Sequence, residues 1–95
     1  SVASLAGKYI KKSVMELGGS DAFIVLHDAD LEKAATVATQ SRMLNAGQAC
    51  ICAKRFIVTE KVADEFGVLF AQKIQSLQQG NPLQQGINMG PLARL

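Results

Sequence analysis

Ninety-five residues with a formal net charge of +2 make one domain at most, since domains usually run about 100 to 150 residues. Apolar residues are 48% and charged residues 19%, against about 25% charged in a typical soluble domain, a balance that suits a piece with neighbours on more than one side. No basic stripe interleaved with aromatics marks a nucleic-acid partner, the longest apolar run, Ala22 to Leu26, is too short to span a bilayer, and no secretion-signal layout opens the chain.

Residues 1–9 read as the last turns of a helix, loosened by Gly7 and followed by lysines. The opening run of small residues from Ser1 and the stop at Leu95, just after Gly90-Pro91-Leu92, are those expected of a piece of a larger protein. Ser13-Val14-Met15-Glu16-Leu17 is a short β-prone run, closed by the turn cluster Gly18-Gly19-Ser20-Asp21. Ala22 to Leu26 lacks polar alternation, the pattern of a strand buried on both faces of a parallel sheet. Asp28 and Asp30 offer N-caps to a helix from about Leu31 to Leu44. Its Leu31, Ala34, Ala35 and Ala38 make one narrow face of small residues that lets a helix lie close to a sheet.

Asn45 to Cys50 interrupts that helix with a glycine, and Lys54 to Glu60 holds a second apolar strand around Phe56-Ile57-Val58. Lys61 to Gln78 reads as a second amphipathic helix, with Val62, Phe66, Leu69, Phe70, Ile74 and Leu77 on one face. Gly80 is expected to end it, with Pro82 just beyond. Asn81 to Leu95 reads as loop. Strand, helix and strand form one βαβ unit, so the fold class is α/β, with parallel strands and a right-handed crossover. The helices cannot cover both sheet faces, and the exposed edges invite pairing with another copy.

Cys50 and Cys52 stand two apart, a spacing poor for a mutual disulfide. As zinc ligands they lack partners, because His27 is the only histidine and has no thiol or acid beside it, so no metal site is expected. Cys52 reads as a small buried apolar residue. Reduced thiols place the protein in the cytoplasm or a similar compartment. Cys50 differs, because Gly47-Gln48-Ala49 precedes it. Glycine allows a tight turn and room for a substrate, and a cysteine nucleophile needs its thiolate against a carbonyl carbon with donors ready for the oxyanion. The backbone N–H of Cys50 itself is such a donor. Glu16 supplies a second function: followed by Gly18-Gly19, it can reach into a cleft as a base that activates water to hydrolyse a thioester.

In this order and at this separation the two strings resemble the catalytic signatures of the aldehyde dehydrogenase superfamily. Met15-Glu16-Leu17-Gly18-Gly19-Ser20-Asp21 matches the glutamate signature and Gly47-Gln48-Ala49-Cys50 the cysteine signature. Asp28-Ala29-Asp30-Leu31, Lys54-Arg55-Phe56-Ile57-Val58 and Met89-Gly90-Pro91-Leu92 also look familial, so the resemblance covers the whole chain. Ser20-Asp21 and Ala53-Lys54-Arg55-Phe56 look most like the succinate-semialdehyde dehydrogenase branch. Departures fall at Ser20, where many members carry lysine, at Ala22, where many carry proline, and at Met43, where an aromatic residue is usual. They touch substrate class, not reaction class.

The resemblance implies a fragment of an NAD- or NADP-dependent oxidoreductase. Cys50 attacks the aldehyde, hydride passes to the nicotinamide, and Glu16 activates the water that releases the carboxylic acid from the thioester. Leu17 and Gly18 lie near the nicotinamide. Residues 1–19 are then the end of the cofactor-binding domain and residues 20–95 the opening of the catalytic domain. The partners are a small aldehyde, with succinate semialdehyde a candidate, and further copies of the protein in an oligomer. No Gly-rich dinucleotide loop lies in the chain, so the piece alone is expected to hold no cofactor and to catalyse nothing. Two other readings of the same residues are a non-catalytic α/β interaction module and a thiol redox protein built on Cys50 and Cys52.

Overall fold

Small side chains on one helix and phenylalanines on another decide how this chain packs. The computed structural model describes residues 1–94, with α1 (Val2–Lys8), β1 (Asp21–Val25), α2 (Leu31–Met43), β2 (Ala53–Val58) and α3 (Glu60–Gln75), and a 3-10 turn at Leu44–Gly47 between α2 and β2. Asp30 caps α2, its Oδ1 accepting from the Lys33 N–H at 3.1 Å. Strands β1 and β2 run parallel, pairing Phe23 with Phe56, Ile24 with Ile57 and Val25 with Val58. The α/β class and the parallel βαβ unit expected from the sequence are those of the structure.

The core gathers on one side of this ladder. Val25, Ala35, Ala38 and Phe66 are buried, with Phe23, Phe56, Val58, Leu69 and Phe70 packed against them. Ala35 and Ala38 keep no exposure at all, because a helix surface of methyl groups lets its neighbours approach closely. Phe66 and Phe70 of α3 stack at 5.5 Å, Phe70 meets Phe56 at 4.6 Å, and Phe56 meets Phe23 at 5.7 Å. This chain of rings ties α3 through both strands. Thr39, buried on α2, keeps its hydroxyl satisfied by donating to the Ala35 carbonyl at 2.8 Å. Across the helices Lys73 Nζ lies 2.9 Å from Glu32 Oε2, an exposed pair of the kind that contributes about 0–1 kcal/mol.

The other sheet face is bare. Ile24 is 63% and Ile57 50% exposed, so the expectation of a strand buried on both faces fails within this chain: β1 alternates, and only Val25 is buried. The β-prone run Ser13–Leu17 is not a strand either. No neighbouring strand lies beside it among the described residues, and an extended segment without a ladder partner gains nothing from β propensity. Asp21, assigned to a turn from the sequence, begins β1 instead.

Helix α3 ends at Gln75, earlier than the sequence suggests, and Gly80 does not cap it. Ser76 Oγ donates to the Lys73 carbonyl at 2.7 Å and the Leu77 N–H to Ile74 at 3.1 Å, which close the last turn. The chain then folds back on itself. Gln78 N–H donates to Asn88 Oδ1 at 2.7 Å, Gly80 N–H to the Met89 carbonyl at 3.0 Å, and Gln79 pairs with Met89 in a single parallel bridge. Gly80 leaves room for the Ile87 side chain, since a Cβ there would sit 2.8 Å from Ile87 Cδ1 and that side chain would have to shift. The expected loop is therefore an ordered fold-back; Leu95 lies outside the described residues.

No residue of α1 is buried, and residues 10–20 are exposed and without regular structure. The radius of gyration is accordingly 17.9 Å, against about 12 Å for a compact domain of this length. Apolar surface left this open drives association. By itself the 95-residue chain is expected to self-associate through the Ile24–Ile57 face. Light scattering that finds a stable monomer at micromolar concentration would contradict this.

Candidate active site

The approach to Cys50 is built by a left-handed turn. Asn45, Ala46 and Gly47 take φ of 51°, 55° and 79° in succession, which reverses the chain directly after α2. Glycine adopts this region freely and asparagine tolerates it, but alanine there costs about 1–2 kcal/mol. The strain is held in place by its surroundings. Gln48 N–H and its side-chain Nε2 both donate to the Asn45 carbonyl, at 3.1 and 2.9 Å. Gln48 Oε1 in turn accepts the Ala93 N–H at 2.8 Å, tying the fold-back segment to the turn. Arg42 lies against Gly47, its Cζ 3.4 Å from where a Cβ would stand. Its Nη1 is buried with no partner among the described residues.

The two cysteines then part company. Cys52 is wholly buried, and its thiol donates to the Leu44 carbonyl at 3.4 Å. Its N–H reaches the Ala49 carbonyl at 3.2 Å, and the next residue, Ala53, donates its N–H to Ser41 Oγ at 3.4 Å. These contacts anchor one side of the turn to α2. Cys50 is exposed, and both thiols are free. Cys52 thus has the packing place expected of it, and Cys50 the accessible one. Among the described residues no group of three or more histidine, cysteine and acidic side chains is placed to hold a metal ion.

Glu16, Leu17 and Gly18 lie in the exposed extended segment before β1. The ladder brings this segment and the cysteine turn to one end of the sheet: Asp21 pairs with Ala53, and the strands are parallel, so both segments enter from the same side. Arg55 adds a direct link, its Nε donating to the Ser20 carbonyl at 2.9 Å. No hydrogen bond among the described residues joins Glu16 to Cys50. A Cβ at Gly18 would meet nothing within 4 Å, and at Gly19 only Asp21 Oδ1 at 3.7 Å. Neither glycine has positive φ, so the chain's own packing does not demand them.

A concavity of about 420 Å³ lies between Thr39, Met43, Asn45, Leu77 and Met89. It touches neither Cys50 nor Glu16, so it is not where the thiol and carboxylate would act. Sequence reasoning missed Ser41, Arg42 and the bridging role of Gln48. Nothing in their spacing marks them, because each matters only through a partner distant in the chain.

The structure thus places an exposed thiol and an exposed carboxylate on two segments that enter the same end of a parallel α/β sheet, a candidate cysteine site. The aldehyde dehydrogenase family matches the chain over residues 1–95. A probable NADP-dependent succinate-semialdehyde dehydrogenase of Synechocystis sp. is 54% identical over 93 residues, 98% of this chain and 20% of that protein. An NADP-dependent succinate-semialdehyde dehydrogenase of Mycobacterium avium is 47% identical over the same shares. The crystal structure of lactaldehyde dehydrogenase from Escherichia coli superposes with a TM-score of 0.92 at 40% identity, covering 99% of this chain and 20% of that one. The chain belongs to the aldehyde dehydrogenase family, and it spans about a fifth of the length of these relatives.

The turn gives a test of its own. In the full-length protein Ala46→Gly should be neutral or stabilising, since glycine removes the left-handed penalty, whereas Gly47→Ala should destabilise by about 1–2 kcal/mol. Thermal melts of the two variants check the contrast, and equal shifts in the same direction would contradict it.

Proposed function

We propose that the protein carrying this chain oxidises an aldehyde to a carboxylic acid through a thioester on Cys50. The observation that carries this reading is the division of labour between two neighbouring thiols: Cys50 exposed at the end of a strained turn, Cys52 sealed beneath it. Family membership supports it. The Cys50 sulfur bonds to the aldehyde carbon, and the carbonyl oxygen takes the negative charge until hydride leaves the carbon. NAD or NADP, when bound, supplies the hydride acceptor; Leu17 and Gly18 would lie against it, where the open space at Gly18 leaves room for a flat ring. Glu16 then takes a proton from water, the water oxygen bonds to the acyl carbon, the carbon–sulfur bond breaks, and the thiolate returns.

In this reading residues 1–19 close the cofactor-binding domain and residues 20–95 open the catalytic domain. Succinate semialdehyde is the proposed substrate, supported by the names of the Synechocystis and Mycobacterium relatives, and NADP the favoured cofactor on the same ground. The bare Ile24–Ile57 face supports assembly with the rest of the protein and its copies. The two reduced thiols suit a cytoplasmic protein. No described helix is long and apolar enough to cross a membrane.

In the full-length protein Cys50→Ala should abolish aldehyde oxidation while Cys52→Ala keeps most of it; comparable losses would sink the assignment of Cys50. Glu16→Gln should give a single burst of reduced nicotinamide and then stall as the thioester accumulates. Wild-type steady-state turnover in that variant would show that water is activated elsewhere.

A further inference from the structure

The parallel ladder carries one irregularity, and it falls beside the cysteine turn. Asp21 pairs with Ala53 but Ala22 pairs with Arg55, so Lys54 has no partner on β1. A bulge of this kind releases one residue from the ladder and re-aims its side chain. The Lys54 side chain turns back along the chain. Its Nζ lies 3.0 Å from the carbonyl oxygen of Cys50, 3.3 Å from that of Cys52 and 3.5 Å from that of Ala49. An ammonium has three N–H donors, and three carbonyls of one turn meet them. Arg55, next in the chain, donates to the Ser20 carbonyl at 2.9 Å. The bulge thus holds the cysteine turn through one cation and the end of the glutamate segment through the other.

We infer that Lys54 is a positioning residue for Cys50, fixing the turn so that its peptide N–H groups face the reacting aldehyde oxygen. This rests on the reading of Cys50 as the nucleophile. In a trans peptide the carbonyl and the following N–H point in opposite directions, and no cis bond occurs among the described residues. Drawing the Ala49 and Cys50 carbonyls onto Lys54 therefore sends the Cys50 and Ile51 N–H groups to the far side of the turn. Among the described residues neither N–H donates to a backbone or side-chain acceptor, so both stay available. Donors fixed before the reaction stabilise a developing oxyanion far better than donors that must first turn toward it. A charge-assisted hydrogen bond is about twice as strong as a neutral one, which suits a cation to holding a turn preceded by a strained left-handed segment. Lys54 touches no reacting atom in this scheme; it acts through the backbone of Cys50.

The test uses the full-length protein and the single-turnover burst of reduced nicotinamide, which reports attack by Cys50 and hydride loss. Lys54→Met keeps the aliphatic stem and removes the donors. It should slow the burst by roughly tenfold to a hundredfold, the loss that a misplaced reacting group brings. The KM for aldehyde should move by less than about threefold, since ground-state binding does not depend on the turn's N–H groups. Lys54→Arg, which returns a cation with donors to the same place, should recover most of the burst rate. Lys54→Gln, polar but uncharged, is held to the same slow burst and takes the place of Lys54→Met should that variant fail to fold. A Lys54→Met or Lys54→Gln burst within about twofold of wild type, or a Lys54→Arg burst as slow as theirs, overturns the role of Lys54. Cys50→Ser, run alongside, reads the underlying assignment separately. A burst that survives in Cys50→Ser removes the nucleophile and the role of Lys54 with it, while its loss leaves Lys54 to stand or fall on its own variants.

Discussion

Everything around the candidate site depends on the register of two short parallel strands. Because β1 and β2 run the same way, the segments that precede them arrive at one end of the sheet. One carries Glu16 and the other Cys50. A parallel pair requires a crossover connection, and here α2 supplies it. The helix does more than bridge the gap, since its end also buttresses the turn: Ser41 of α2 holds the Ala53 N–H, and Leu44 just beyond it accepts the Cys52 thiol. Core and site therefore share one element.

The packing that fixes this register is one-sided. Phe70 of α3, stacked on Phe66, presses on Phe56, and Phe56 on Phe23, while the alanines of α2 let the helices close over Val25. Buried apolar surface contributes about 25 cal/mol per Å², and a chain that leaves Ile24, Ile57, Leu26 and Ile51 in water forgoes much of it. The extended outline and the uncovered α1 carry the same message. This open apolar surface is in keeping with a chain that spans about a fifth of the length of its relatives.

Strain and clamp occupy adjacent places in the site. Three consecutive residues at positive φ end in Gly47, and Cys50 follows within a turn whose carbonyls converge on Lys54. Backbone in sparsely populated regions persists only where its surroundings over-determine it. Here the surroundings are the Gln48 side chain, the Arg42 guanidinium packed on Gly47, and the fold-back segment that reaches Gln48 through Ala93. The Asn88 and Met89 contacts with Gln78 are what bring that segment home. A stretch that reads as plain loop is in this way a support of the cysteine turn.

Local chemistry in the sequence was enough for the elements whose neighbours lie close along the chain. Asp30 caps α2 because its own carboxylate reaches the Lys33 N–H, and the small-residue face of α2 and the phenylalanine face of α3 follow from helical periodicity alone. The motif strings around Glu16 and Cys50 pointed to the family without any coordinates, and the burial of Cys52 follows from the apolar character of a free thiol. Tertiary structure alone decided the rest. Ser13–Leu17 has β propensity, but a strand exists only when another strand accepts its hydrogen bonds, and none lies beside it among the described residues. Gly80 reads as a helix stop, but its neighbour is the Ile87 side chain, which only the fold-back brings beside it. Lys54 enters the sequence reading only as part of a familial string, since a bulge is a property of two strands in register and not of either one. Contacts between residues distant in the chain leave no periodic mark, which is why these three positions could be read only once the strands were paired.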